Sequence, residues 1–256
     1  MRASGDSVAG SRLDSPNGRV PLAVWLQACR VNSLMISSIS VGTGAAVAWW
    51  QGHASALLWL AWLSAVAAQA GTNLINVSFN YKAGVAAPGV LDDPVASRAP
   101  VRTGKLTREQ VRRAARYCFG VSIAGGLALA LCADPRVLWL GVPGVLAGYF
   151  YAAPPFRLAY AGLGVITVFV FMGPVMVVML AGAYGAVAIG VATHALPWPV
   201  LVTFLSAPLA VTLGRTVFVE RDPMALNAAW FQGVRLHTIF GVLLVVALLA
   251  AALLAR

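Results

Sequence analysis

Seven apolar runs, each long enough to cross a hydrocarbon core of about 30 Å at roughly 17 to 25 residues per crossing, restrict what this chain can become. They lie at 33 to 50, 54 to 76, 117 to 133, 136 to 153, 163 to 183, 198 to 219 and 234 to 255, with Tyr184 to Leu196 as an additional apolar piece. The 256 residues are 60% hydrophobic and only 10% charged, with a mean hydropathy of +0.81, well outside the range of soluble domains. The expected fold class is all-α: a multi-spanning transmembrane helix bundle, residues 21–256, preceded by a disordered cytoplasmic tail at residues 1–20. That tail is rich in Ser, Gly, Arg and Asp and lacks the apolar core of a signal peptide.

Basic residues set the orientation, because short cytoplasmic loops collect Lys and Arg. Arg2, Arg12, Arg19 and Arg30 precede the first span; Lys82, Arg98, Arg102, Lys105, Arg108, Arg112, Arg113 and Arg116 fall between the second and third; Arg157 follows the fourth; Arg215, Arg221 and Arg235 follow the sixth. Only Arg136 and Arg256 lie on the other side, so the N terminus is expected inside, the C terminus outside and the number of spans odd. The net charge of +10 then follows from positive-inside topology and calls for no nucleic acid.

Few side chains inside the spans carry chemistry. No charge sits deep in them, which disfavours proton or ion coupling, and no inverted repeat supports a transporter. Cys29, Cys118 and Cys132 have unrelated spacings, and His53, His194 and His237 have no His, Cys or carboxylate at ligand spacing. Gly141, Gly144 and Gly148, together with Gly42 and Gly44, read as close-packing positions. Met172, Met176 and Met179 read as a packing stripe beside a bend at Pro174. Trp25, Trp49, Trp50, Trp139, Trp198 and Trp230 fit aromatic belts at the membrane edges.

One segment stands apart. Gly71 to Tyr81, GTNLINVSFNY, lies where the second span meets the main basic loop, a natural place to hold a charged substrate. Its asparagines Asn73-Leu74-Ile75-Asn76, followed by Asn80-Tyr81-Lys82-Ala83-Gly84, resemble the first signature of the UbiA-type intramembrane prenyltransferases, above all the MenA-like branch that prenylates dihydroxynaphthoate. The resemblance continues through Arg98-Ala99-Pro100, Thr103-Gly104-Lys105-Leu106-Thr107-Arg108-Glu109 and YFYAAPPFRLAYAGLG at Tyr149 to Gly164, over roughly residues 22 to 183.

The resemblance implies a helical bundle in a bacterial cytoplasmic membrane, an isoprenoid ligand and family activity as a prenyltransferase. In the family, Asp-rich motifs bind magnesium, which neutralises the diphosphate leaving group as the carbon–oxygen bond breaks. At the matching positions this chain has Asn76-Val77, Asn80 and Ala86; Ala161 and Val165 stand where the family often has polar groups. Val77 cannot coordinate a metal, and Asn80 offers one neutral carbonyl. Asp92 and Asp93, in a proline-flanked loop, lack helix-borne ligand spacing. The family's nine spans would be reduced to seven by loss of about two spans and the second motif between roughly Gly182 and Pro197. In the competing alignment, RTVFVERD at Arg215 to Asp222 is a remnant of that motif, but Glu220 and Asp222 would point from different helix faces. Hence no metal site or cofactor is expected by the family's standard motifs.

An anion would then be left to basic and amide groups. Lys82, Arg98, Arg102 and Lys105 match or neighbour diphosphate-facing family positions; Asn73, Asn76 and Asn80 would line the cavity, with Tyr149, Tyr151 and Arg157 as its wall. The alternative is a positive-inside loop resting on anionic lipid. Two functions stay open: diverged isoprenoid chemistry, including terpene-cyclase-like reactions, or non-catalytic binding of a prenyl lipid or quinone, including an accessory role beside a partner membrane enzyme.

Overall fold

The structure is a computed structural model that describes residues 20–80, 100–101, 104–156, 174–219 and 223–254. It is helical throughout these residues, with no strand among them, and forms a multi-span membrane bundle. A short helix α1 (Leu22–Ala28) leads into α2 (Val31–Trp50) and α3 (Leu57–Asn80). After residues 100–107 come α4 (Arg108–Cys132), a 3-10 turn (Pro135–Val137) and α5 (Leu138–Phe150). Helix α6 (Pro174–Ala192), a 3-10 segment (Trp198–Ser206), α7 (Ala207–Val219) and α8 (Pro223–Leu254) complete the bundle.

Five stretches among the described residues are long and apolar enough to cross a membrane: Ser33–Trp50, Leu57–Phe79, Arg108–Cys132, Trp198–Val219 and Phe231–Leu254. The fourth expected span is only a 13-residue helix, α5. The fifth begins outside the described residues and runs past its expected end at 183 to Ala192, so Tyr184 belongs to α6 instead of starting a separate piece. Nothing between Ala183 and Ala192 breaks a helix; the chain turns only at Thr193 and His194, where His194 has φ of 59°. The methionine stripe and the bend before Pro174 lie outside the described side chains.

Two starts also differ from the hydropathy boundaries. Helix α4 begins at Arg108, nine residues ahead of its apolar run, because Thr107 and Gln110 form a reciprocal cap: Gln110 N donates to Thr107 Oγ1 (3.2 Å) and Thr107 N to Gln110 Oε1 (2.8 Å). Arg108, Arg112, Arg113 and Arg116 are therefore helical, where the sequence reading placed them in a loop. Helix α8 has 32 residues, about 48 Å at 1.5 Å each, which exceeds a hydrocarbon core and places His237 well inside it instead of three residues from its start. His237 Nε2 lies 3.4 Å from the Ile36 carbonyl oxygen of α2.

Packing concentrates at the two ends. At the end expected to be cytoplasmic, Val24 and Ala28 of α1, Leu74, Ile75 and Val77 of α3, Val101, Leu106, Val111, Ala115 and Phe119 form one buried cluster with Ala152 and Ala153. At the other end Ala46, Val187, Val200, Ala247 and Leu248 form a second, which Tyr184 borders by hydrogen bonding Ser206 Oγ at 2.6 Å and by edge contact with Phe240.

Glycine sets the closest helix approaches, at one of the expected positions and at others the sequence did not single out. A Cβ on Gly148 would fall 2.3 Å from Thr72 Oγ1, as a packing glycine should, whereas Gly141, Gly144 and Gly44 meet nothing within 4 Å among the described residues, and Gly42 only Val245 at 4.0 Å. The tightest contacts are Gly241 against Ile39 (2.0 Å) and Gly125 against Ser64 (2.1 Å), which bring α8 onto α2 and α4 onto α3. On α5 only Gly148 thus marks a contact among the described residues.

Candidate functional site

Helix α3 carries the described part of the signature segment to the end of the bundle expected to be cytoplasmic, where Val101, Leu106 and the first turns of α4 pack near it. The turn before α4 is tied by Leu106 N to the Pro100 carbonyl (3.1 Å) and by Gly104 N to the Val101 carbonyl (3.3 Å). Gly104 has φ of +71°, a left-handed conformation that explains glycine inside Thr103-Gly104-Lys105. Val101 and Leu106 turn into the core and Lys105 turns out to solvent.

Asn73 is buried within a polar chain linking three helices. Its Nδ2 donates to the Cys29 carbonyl (2.7 Å) and to Ser33 Oγ (2.6 Å), while Gln69 Nε2 approaches its Oδ1 at 3.5 Å. Ser37 Oγ in turn donates to Gln69 Oε1 (3.2 Å). The Cys29 carbonyl is at the break between α1 and α2, where Arg30 adopts φ of 52°, so Asn73 satisfies an acceptor that the broken helix leaves open. Burial, reinforced by the neighbouring Cys118 sulfur, pushes the Cys29 thiol above its ordinary value and keeps it protonated.

Three residues beyond Asn73, Asn76 is half-buried and has no hydrogen-bond partner among the described residues. Val77 is 6% exposed and belongs to the apolar cluster between α3 and α4. Phe79, on the last turn of α3, lies under two guanidinium groups: Arg112 Cζ is 5.0 Å and Arg108 Cζ 5.7 Å from its ring centre. Arg108 Nε is shielded from solvent and has no hydrogen-bond partner among the described residues. Arg116, farther along α4, is paired instead with Glu109 at 2.7 Å on the exposed face.

The tyrosines lie at the same end. Tyr149 meets Phe119 of α4 edge-on (6.1 Å) and Phe150 (5.3 Å), and both Tyr149 and Tyr151 remain about 40% exposed. Of the residues expected to bind a ligand, Asn73, Asn76, Lys105, Tyr149 and Tyr151 therefore gather at one end of the bundle. Asn73 uses its amide to join helices, and Asn76 has no hydrogen-bond partner among the described residues. The Asn80 side chain and Lys82, Arg98, Arg102 and Arg157 lie outside what the structure describes, as do Ala86, Asp92, Asp93, Ala161, Val165, Glu220 and Asp222. Sequence reading passed over Phe79, Arg108 and Arg112, having counted the two arginines as topology signals. The usable sign was their i, i+4 spacing directly after a Thr-x-x-Gln cap.

No family model matches the chain, and no solved structure does. Curated proteins do: it is 33% identical over 157 residues to a 1,4-dihydroxy-2-naphthoate octaprenyltransferase of Mycobacterium tuberculosis, covering 60% of this chain and 52% of that protein. The protein of the same description from Escherichia coli is 30% identical over 156 residues, 58% and 49% of the two chains, and that from Mycobacterium leprae 31% over 157 residues, 60% and 51%. The chain spans about half the length of the curated relatives it matches. Over this shared stretch the chain is similar to these membrane prenyltransferases of the MenA-like kind.

Proposed function

We propose that this protein acts on or binds an isoprenoid ligand, a polyprenyl diphosphate, prenyl lipid or quinone-type molecule, and that magnesium-dependent prenyl transfer by the family mechanism is lost or altered in it. The similar proteins, octaprenyltransferases, support the isoprenoid part. The environment of Val77 carries the second part. A carboxylate at that point of α3 would enter an apolar cluster of Ile75, Val111 and Ala115, and an ionised group buried without a partner costs far more than a methyl group there. The valine is thus part of the packing that joins α3 to α4. A change of chemistry, with an ionised diphosphate steered by neutral amides and cations, is consistent with an Asn76 amide that has no partner among the described residues and with the pair of arginines stacked on Phe79.

The localisation proposed is the cytoplasmic membrane of a bacterium, with the signature end facing the cytoplasm. The test is direct. Purified protein is incubated with polyprenyl diphosphates, with and without magnesium, and pyrophosphate release is followed. No magnesium-dependent release is expected. Magnesium-dependent release abolished by Asn80→Ala would overturn the reading, and a prenyl lipid that co-purifies without turnover would favour a binder or accessory subunit over diverged catalysis.

A further inference from the structure

We infer that Arg108 and Arg112, stacked on Phe79 at the cytoplasmic ends of α3 and α4, form a metal-free clamp for a phosphate-ester anion. This deepens the proposed function without depending on it, since a phosphorylated isoprenoid and a phospholipid headgroup offer the same oxygens.

Two cations on one ring are an unbalanced arrangement. Arg108 and Arg112 are four residues apart on one face of α4, where like charges repel by a few tenths of a kcal/mol (about 0.2–0.5) even when solvated. Both are half-buried, and neither has a carboxylate partner among the described residues. Phe79 attracts each through its ring face, but a ring face accepts no strong hydrogen bond. Arg108 Nε consequently has a shielded N–H without an acceptor. An unmet guanidinium donor is best satisfied by an oxyanion bound in the planar fork geometry that arginine presents. The nearest carboxylate on this helix, Glu109, is occupied on the exposed side by Arg116.

Asn76 lies one turn before Phe79 on α3 and has no hydrogen-bond partner among the described residues, so its amide is a candidate third donor to an anion on the guanidinium pair. The three groups come from two helices locked by Gly125 against Ser64 and Gly71 against the Phe119 ring. The clamp is thereby built on two packed helices, next to the end of the apolar stretch Leu57–Phe79.

The full chain, reconstituted in nanodiscs of neutral phosphatidylcholine with EDTA present, is titrated calorimetrically with farnesyl diphosphate and with inorganic pyrophosphate. A parallel arm uses nanodiscs containing phosphatidylglycerol, with retained lipid read by native mass spectrometry. Binding is expected without magnesium. Arg112→Gln and Arg108→Gln should each weaken it about tenfold or more, Phe79→Leu by a few fold (~3-fold), and Arg113→Gln, on the exposed face, should leave it unchanged. Should the double arginine variant fail to fold, the single Arg112→Gln and Phe79→Leu carry the test.

Arginine-dependent retention of phosphatidylglycerol that excludes farnesyl diphosphate supports the clamp with a lipid source and counts against the isoprenoid reading. Undiminished farnesyl diphosphate binding in the arginine variants, with undiminished lipid retention, overturns the clamp and leaves the isoprenoid reading standing. An absolute requirement for magnesium overturns it as well.

Discussion

The two ends of the bundle are held by different means. At the end expected to be external α2, α6 and α8 meet through apolar surfaces, with Gly241 allowing Ile39 to approach and Tyr184 bridging to Ser206. At the end expected to be cytoplasmic a buried apolar cluster is interleaved with polar and cationic groups: the Asn73 chain and the Arg108–Phe79–Arg112 stack. Packing alone explains the first. The second retains donors that packing does not require, which is what separates a candidate ligand end from a purely structural one.

The sharpest way to break this contrast is Val77→Asp, introduced alone and with Asn80→Asp. The single change should destabilise the protein by more than ~3 kcal/mol, because it buries an unpaired carboxylate. Thermal unfolding in detergent measures it. Unchanged stability together with newly acquired magnesium-dependent turnover would mean that a functional metal pocket survives around α3.

Next in size, Asn73→Leu should cost about 1–3 kcal/mol by leaving the Cys29 carbonyl and Ser33 hydroxyl without their donor. Because it acts through the α1–α2 break, the loss should appear as faster proteolysis near Arg30. At the external end Gly241→Ala should cost a comparable ~1–3 kcal/mol by overpacking Ile39. Gly144→Ala, facing open space on α5, should stabilise its helix by about 0.5–1 kcal/mol. Equal effects at Gly241 and Gly144 would dissolve the distinction between contact glycines and open ones.

The smallest effect concerns the external turn. Asp134 caps the 3-10 turn and accepts hydrogen bonds from the Arg136 side chain (Nε at 2.8 Å) and backbone (2.8 Å), which hold its carboxyl below the usual range. A lowered native pKa contributes stability above the unfolded-state value and loses it as pH falls through the native one. The melting difference between wild type and Asp134→Asn should therefore be present at neutral pH and vanish in acid. The Asp134 side chain remains 37% exposed and its Arg136 partner more so, so solvent screens the pair and the difference should be slight.

Hydropathy made most of the fold legible. Apolar length located five crossing helices among the described residues, since a run that must span lipid can scarcely hide in a sequence. Length could not locate where helices begin beyond the lipid. Thr107 and Gln110 start α4 in a stretch that hydropathy scores as loop, and the continuous α6 shows no break where a span count needed one. The site was half visible. Asn73, Asn76 and Tyr149 were recognisable as polar or aromatic groups near the signature, but which amide is consumed by structure and which stays free depends on contacts across 44 and 40 residues of chain. Phe79 read as one more apolar residue until the arginines of α4 were brought over its ring.

The most direct measurement is the affinity of the purified chain for farnesyl diphosphate as free magnesium is raised from zero in EDTA to millimolar levels. An anion held by arginine and amide groups should bind in EDTA, and its affinity should stay flat or fall slightly as magnesium competes for the phosphate oxygens. An affinity that is undetectable in EDTA and rises steeply with magnesium would contradict the account and restore the metal-dependent mechanism that the family resemblance implies.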